Sequence, residues 1–221
     1  MVLVAHYQEM HQKMLREIEE EIDATAISTG IRHLSPKVLK ALSQVPRHLF
    51  VLPGDEHSAY LNTPLPIGEG QTISQPFIVA LMTELLDVQP KDKILEVGTG
   101  SGYQAAILAH LAKEIYTVEV VSSLARSAQI KFDDLQYNNI YVLKGDGAQG
   151  WVEHAPYNKI IVTAAAESIP FKLLEQLKND GTMVIPLGKE RDKQFLTVVH
   201  KDAKDNIKYK SVLAVMFVPF T

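Results

Sequence analysis

The 221-residue sequence has no cysteine, which excludes disulfides, thiolate nucleophiles and cysteine-ligated metals together and agrees with a reducing compartment. Long apolar runs are also missing. Residues 2–5 are apolar but too few, and without a basic flank, for a secretory signal, and nothing approaches the roughly 18 to 20 apolar residues of a membrane span. Positive charge is not in surplus either: 22 Lys and Arg against 26 Asp and Glu leave a formal net charge of −4, with no general pull toward phosphate backbones or anionic lipid. A soluble, cytoplasmic chain that binds neither nucleic acid nor membrane is expected. The histidines lack the spacings of a metal helix, His6 and His11 being five apart, so no metal is expected.

What is present is an ordinary globular balance, 46% hydrophobic and 22% charged, in a length suited to one domain. Tyr7, Met10, Met14, Ile18 and Ile22 recur every three or four residues, the pattern of an amphipathic helix. A second helix is predicted from Ser35-Pro36 to Val45-Pro46, with Pro at its first position. Residues 47–70 lose the period and gain Pro and Gly, which predicts an ordered covering loop. From residue 77 helices and short apolar strands alternate. Helices are predicted over 77–86, 102–113, 122–137 and 170–178, the last stopped by Asn179-Asp180-Gly181, and strands over 93–97, 115–120, 140–144, 160–162 and 183–186. Two β-rich runs, 194–200 and 209–218, read as an antiparallel hairpin whose interspersed charges, Lys189, Arg191 and Lys193 among them, make a solvated surface.

The fold class is therefore α/β, a Rossmann-like, doubly wound and mostly parallel sheet in a three-layer sandwich. It carries an N-terminal helical extension and a C-terminal antiparallel hairpin. One domain covers 1–221, divided into N-terminal helices and covering loop (1–70), a cofactor-binding core (71–188) and the hairpin (189–221).

The stretch ILEVGTGSGYQA sets Gly98, Thr99, Gly100 and Gly102 between a strand and a helix, where backbone can approach a ligand closely. The dinucleotide fingerprint needs a glycine at position 103, which is Tyr103, and a phosphate-binding P-loop needs a Lys that is absent. What remains, an acid at Glu96 followed by G-x-G-x-G, resembles the first motif of class I methyltransferases that use S-adenosyl-L-methionine and release S-adenosyl-L-homocysteine. Glu119 ends the next strand, where a carboxylate accepts bonds from both ribose hydroxyls; an exposed strand-end acid is the plainer alternative. Val120 follows it as an adenine contact or an ordinary core valine. Asp146 and Gly147 sit at the end of the third strand of the core; the resemblance implies an adenine contact there, against a simple Asp-Gly turn. After the fourth strand, Thr163, Ala164, Ala165 and Ala166 stand where methyltransferases of base amino groups carry Asn or Asp, Pro, Pro and an aromatic residue.

VPRHLFV at 45–51, LPIGEGQTISQP at 65–76, LEVGTGSGY at 95–103, GDG at 145–147 and FVPFT at 217–221 together make the chain resemble the protein-L-isoaspartate O-methyltransferases. The resemblance implies methyl transfer from S-adenosyl-L-methionine to the free α-carboxyl of L-isoaspartyl residues in damaged proteins and peptides, by a monomer. It also implies an active-site role for Ser74 and a cofactor wall at Thr72 and Ile73, chiefly by backbone contact. It matches Thr221 to a residue near the site in some members, and transfers nothing to Val79. Ser74 also reads as the N-cap of the helix at 77–86, with the Phe77 N–H as its donor. Other expectations are a same-fold methyltransferase of another carboxylate or small acceptor, and a nonenzymatic binder of the cofactor.

Overall fold

Fourfold spacing buries Met14, Ile18 and Ile22 completely along one side of the first helix, α1 (Val2–Ala24). The computed structural model describes residues 2–189 and 193–220. A single turn, α2 (Ala26–Thr29), and α3 (Pro36–Gln44) complete the N-terminal helices. Pro36 opens α3 at its first position, where a missing N–H costs nothing. The expected covering loop is partly regular. It holds a 3-10 turn at Arg47–Phe50 and then β1 (Leu65–Gly68), paired antiparallel with β2 (Gln71–Ile73). Glu69 and Gly70 both have positive φ, 54° and 71°, the left-handed pair of a tight hairpin turn.

The core follows as α4 (Pro76–Leu86), β3 (Lys93–Val97), α5 (Tyr103–Ala109), β4 (Glu114–Glu119), α6 (Ser122–Asp134), β5 (Ile140–Lys144), β6 (Tyr157–Val162), α7 (Phe171–Gln176), β7 (Leu177–Leu187), β8 (Gln194–Lys201) and β9 (Ile207–Val215). Strands β3 to β9 form one sheet in the order β5-β4-β3-β6-β7-β8-β9. The first five strands of that order pair in parallel, while β8 runs antiparallel to both β7 and β9. The expected parallel core with a C-terminal hairpin is thus observed.

Alternation along the strands builds two cores. Ile94, Ile115, Ile161 and Val184 pack with α1, α3, α4, α5 and α6, whereas Leu95, Val118, Ile160 and Met183 face Leu173 of α7 and Trp151. Both faces of the central strands are buried, as a sandwiched parallel sheet requires. The helical elements between β5 and β7 are α7 and the 3-10 turns at Gly147–Gln149 and Val152–His154 among the described residues, a thin cover for the second face.

Two expectations are corrected. Helix α7 ends at Gln176, and the chain enters β7 at once. The polar Asn179-Asp180-Gly181, expected to stop that helix, lies inside β7 as part of a bulge. The register steps from Tyr157↔Leu177 to Lys159↔Thr182, so β7 advances five residues while β6 advances two, and Asp180 takes φ 58° inside the strand. Helix α5 stops at Ala109 and α6 at Asp134, each short of the apolar period that suggested them. Among the described residues, no helix is long and apolar enough to cross a membrane.

The turn from β3 into α5 is fixed by packing as well as by backbone. Gly102 has φ 87°, and a Cβ there would lie 2.7 Å from Phe132 Cζ, on a side chain that is itself fully buried. Gly102→Ala is expected to cost about 1 to 3 kcal/mol of stability through combined strain and overpacking. Urea unfolding of the two proteins checks this; equal midpoints would mean that Phe132 yields freely.

Candidate active site

Strand order reverses around β3, with β4 and β5 on one side and β6 and β7 on the other, and open α/β sheets bind ligands at the carboxyl ends of strands beside such a switch. A cleft lies there. Gly98 occupies its floor. At φ 95°, its missing Cβ would sit 2.4 Å from Thr163 Oγ1. The Thr163 hydroxyl donates to the Gly98 carbonyl at 2.7 Å, so the end of β6 holds the loop open by filling the space a side chain would need. Gly100 lines the cleft too, and its N–H donates to Glu119 Oε2 at 2.8 Å.

Glu119 is mostly buried and lines the cleft at the end of β4. Its other oxygen accepts the Val121 N–H at 2.9 Å. Two amides therefore orient the carboxylate and leave lone pairs for a diol. Val120 and Gly147 line the same space, as do Thr72, Ile73 and Thr99. No Lys, Arg or His lines the cleft among the described residues; Glu119 is the one charge in its wall. No cationic side chain of the wall is available to a phosphate, and the Glu119 carboxylate suits a diol-bearing, cationic ligand such as S-adenosylmethionine.

Three residues assigned to the cofactor lie outside the cleft wall. Glu96 is fully buried beneath the loop, where one oxygen accepts from the Thr117 hydroxyl and the other has no partner. Thr117 is bonded in turn to Thr99 at 2.6 Å, so Glu96 reaches the wall through two hydroxyls. Burial drives its carboxyl up to about 8, with Glu119 adding to the rise. Asp146 is exposed and caps the following turn, accepting from the Ala148 N–H at 2.8 Å. Gly102 packs under Phe132.

Ser74 lies just past β2, half-buried, on the wall between the cofactor cleft and an open groove. That groove runs past Glu21, Thr25, Phe77 and the segment 213–218. The expectation that Ser74 caps the next helix is overturned. Gln75 is the cap residue of α4, and the Phe77 N–H donates instead to Asn62 Oδ1 at 3.0 Å. Asn62 Nδ2 is anchored on Glu21 Oε2 at 2.7 Å, and Gln75 Nε2 reaches the same oxygen at 3.1 Å. With the cap supplied from elsewhere, the Ser74 hydroxyl makes no hydrogen bond among the described residues.

Sequence reasoning missed Asn62, Glu21 and Arg47, all of which hold this turn, and Gln104, which lines the cleft and donates to Thr83 Oγ1 at 2.9 Å. Neither Asn62 nor Glu21 has a local signal, because their partners lie 15 to 54 positions away. Val79 lines the cleft without a polar group. Thr221 lies outside the described residues, but Val218, Pro219 and Phe220 close one side of the cleft, with the Phe220 N–H bonded to the Ala165 carbonyl at 2.9 Å. His11 bonds the Leu42 carbonyl.

Residues 19–221 match the family model described as Protein-L-isoaspartate(D-aspartate) O-methyltransferase (PCMT). The chain is similar to Protein-L-isoaspartate O-methyltransferase 2 of Syntrophobacter fumaroxidans, 49% identical over 209 residues that cover 95% of this chain and 85% of the relative. It is likewise similar to the protein of the same name from Polaromonas sp., 49% identical over 208 residues covering 94% of this chain and 99% of that one. A solved structure from Plasmodium falciparum in complex with S-adenosyl-L-homocysteine shares the fold, with TM-score 0.78 at 23% identity over 96% of this chain and 98% of that chain.

Because the folded Glu96 carboxyl titrates near 8 rather than at its ordinary 4.5, its contribution to stability is complete below 4.5 and is lost as pH rises through that window. Glu96→Gln is expected to flatten the pH dependence of the urea midpoint between those two values. Midpoints measured across the window check this, and an unchanged slope would place the titration elsewhere.

Proposed function

The chain belongs to the protein-L-isoaspartate(D-aspartate) O-methyltransferase family, and from that premise we propose how its own residues carry the reaction. The enzyme is an S-adenosylmethionine-dependent methyltransferase that esterifies the free α-carboxyl of L-isoaspartyl residues in damaged proteins and peptides. The observation that carries the assignment of residues is the Ser74 hydroxyl, unbonded, on a wall shared by a cation-free cleft and an open groove.

The cofactor supplies a methyl group activated by its sulfonium. Glu119 would hold the ribose hydroxyls, the backbone of Gly98, Thr99 and Gly100 would border the amino-acid portion, and Val120 with Gly147 would border the adenine. Thr72 and Ile73 would border the transferable methyl through their main chain. Glu96 would support the loop under the ligand through the hydroxyls of Thr117 and Thr99, and Asp146 would stand at the adenine edge as the turn that presents Gly147.

An acceptor carboxyl with a pKa near 4 is already ionised at neutral pH, so no residue needs to take a proton from it. That requirement matches a cleft wall without His or Lys. The chemical demand falls on alignment: one acceptor oxygen must face the methyl carbon in line with the sulfur, and water must be kept away. Ser74 donates one hydrogen bond to the carboxylate from the groove side. The groove itself, bordered by 213–218 and by Thr25, is where the acceptor chain lies.

The proposed site draws on residues of one chain, which is compatible with a monomer, and the cysteine-free sequence supports a cytoplasmic location. The three segments 1–70, 71–188 and 189–221 divide the work as acceptor-side cover, cofactor core and groove wall.

With tritiated cofactor, an isoaspartyl peptide is expected to take up base-labile label and its aspartyl twin none; label in both would point to an unselective carboxyl methyltransferase. Ser74→Ala is expected to lower turnover about 10- to 150-fold, the worth of one hydrogen bond to a charged group, with S-adenosylhomocysteine affinity held within a few fold. Loss of cofactor binding in that variant would remove Ser74 from the acceptor side.

A further inference from the structure

The segment VPRHLFV contains the most deeply buried cation among the described residues, and the reaction as described leaves it unused. Arg47 is 0% exposed. Its Nε donates to the Ala59 carbonyl at 2.8 Å, and Nη2 donates to the Ser74 carbonyl at 2.9 Å, with a longer reach of 3.5 Å to the Thr63 carbonyl. The guanidinium carbon lies 4.9 Å from the centre of the Tyr103 ring, which lines the cofactor cleft on its other side. Nη1 has no hydrogen-bond partner, and neither does the Tyr103 hydroxyl. No carboxylate is bonded to the guanidinium; burial lowers it to about 10, which leaves it charged at neutral pH.

Packing alone does not explain such a group. A hydrocarbon side chain of similar volume fills a core without the desolvation cost of an unpaired ion. What a hydrocarbon cannot do is donate in two directions from one rigid plane. Here the plane joins Ala59 of the covering segment to Ser74 of the catalytic turn, while resting on the first residue of α5 after the glycine loop.

The Ser74 turn is thereby held at both ends. Arg47 fixes its carbonyl, and Asn62 fixes the Phe77 N–H three residues on. With the backbone of the turn pinned, the direction of the Ser74 Cα–Cβ bond is set, and only the hydroxyl rotor stays free to meet an acceptor.

We propose that Arg47 is a positioning residue for the Ser74 hydroxyl, acting through the Ser74 main-chain carbonyl, an inference that rests on the methyl-transfer role assigned to Ser74 above. Lysine at this position keeps the charge but loses the fork that spans the two carbonyls.

A double-mutant cycle tests it. Arg47→Lys is expected to lower kcat on an isoaspartyl peptide about tenfold or more, with S-adenosylhomocysteine affinity within about threefold of the parent. The same substitution in a Ser74→Ala background is expected to lower kcat less than about twofold, because coupled residues lose their effect when the partner is gone. Equal losses in both backgrounds would overturn the proposal, since a residue that merely supports the fold acts additively. No loss in either background would overturn it too. Should Ser74→Ala itself leave kcat unchanged, the fault would lie with the assignment of Ser74, a result separable from failure of Arg47 alone. Arg47→Gln, with an amide donor and no charge, serves if lysine folds poorly. Failure of both variants to bind S-adenosylhomocysteine would overturn the positioning role in favour of a purely structural one.

Discussion

The N–H of Phe77 is one of the orphan donors that every helix start must satisfy, and in this chain Asn62 satisfies it from the covering segment. If the adjacent serine met that need, its oxygen would be turned toward the helix and committed as an acceptor. Placing the cap in trans leaves the hydroxyl at position 74 uncommitted at the border of two spaces. The arrangement propagates backward: Asn62 is held by Glu21 of α1, and Arg47 binds the serine carbonyl. The N-terminal helices and the segment after them thus hold the Ser74 turn, although no described residue before Gln71 lines the cleft.

Electrostatics follow the same division between what faces the ligand and what stands behind it. The cleft wall carries the Glu119 carboxylate and no cation, while the cation nearest the turn, Arg47, lies behind the Tyr103 ring. A positively charged cofactor and a negatively charged acceptor require this placement. A Lys or Arg in the wall would repel the sulfonium, and a bare carboxylate in the groove beside Ser74 would repel the acceptor. Glu21 does border the groove, but Asn62 and Gln75 both bond its oxygens, which spends part of that charge on the scaffold.

The parts of the fold that were legible in the sequence are those with a local cause. The apolar runs at 93–97 and 140–144 became strands at the expected bounds, and the glycine loop sits between β3 and α5 because its backbone must be free of Cβ atoms at Gly98 and Gly102. The hairpin β1–β2 was not legible: its strands are four and three residues long, too short to show alternation. Asn179-Asp180-Gly181 misled for the opposite reason. A strong turn signal was absorbed as a bulge once the flanking residues found partners in β6 and β8. Asp146 points to its own following turn, the outcome that local Asp-Gly chemistry favours. Asn62 left no trace because its role depends on a partner 15 residues away.

This contrast between local and distant causes also locates selectivity in the molecule. The β3–α5 loop and the acid ending β4 are written in short, self-sufficient patterns, and they serve any acceptor that meets an activated methyl group. The groove beside Ser74 and the bonds that frame its turn are assembled from Glu21 in α1, Asn62 and Arg47 in the covering segment, Ser74 after β2, and the strand β9 with the residues that follow it. Those pieces are far apart in the chain, and they meet because α1 packs on α4 and β9 joins the sheet through β8. Each hydrogen bond that frames Ser74 therefore spans segments distant in sequence. The placement of the Ser74 hydroxyl therefore depends on how α1 and the covering segment pack, through Glu21, Asn62 and Arg47, more than on the glycine loop.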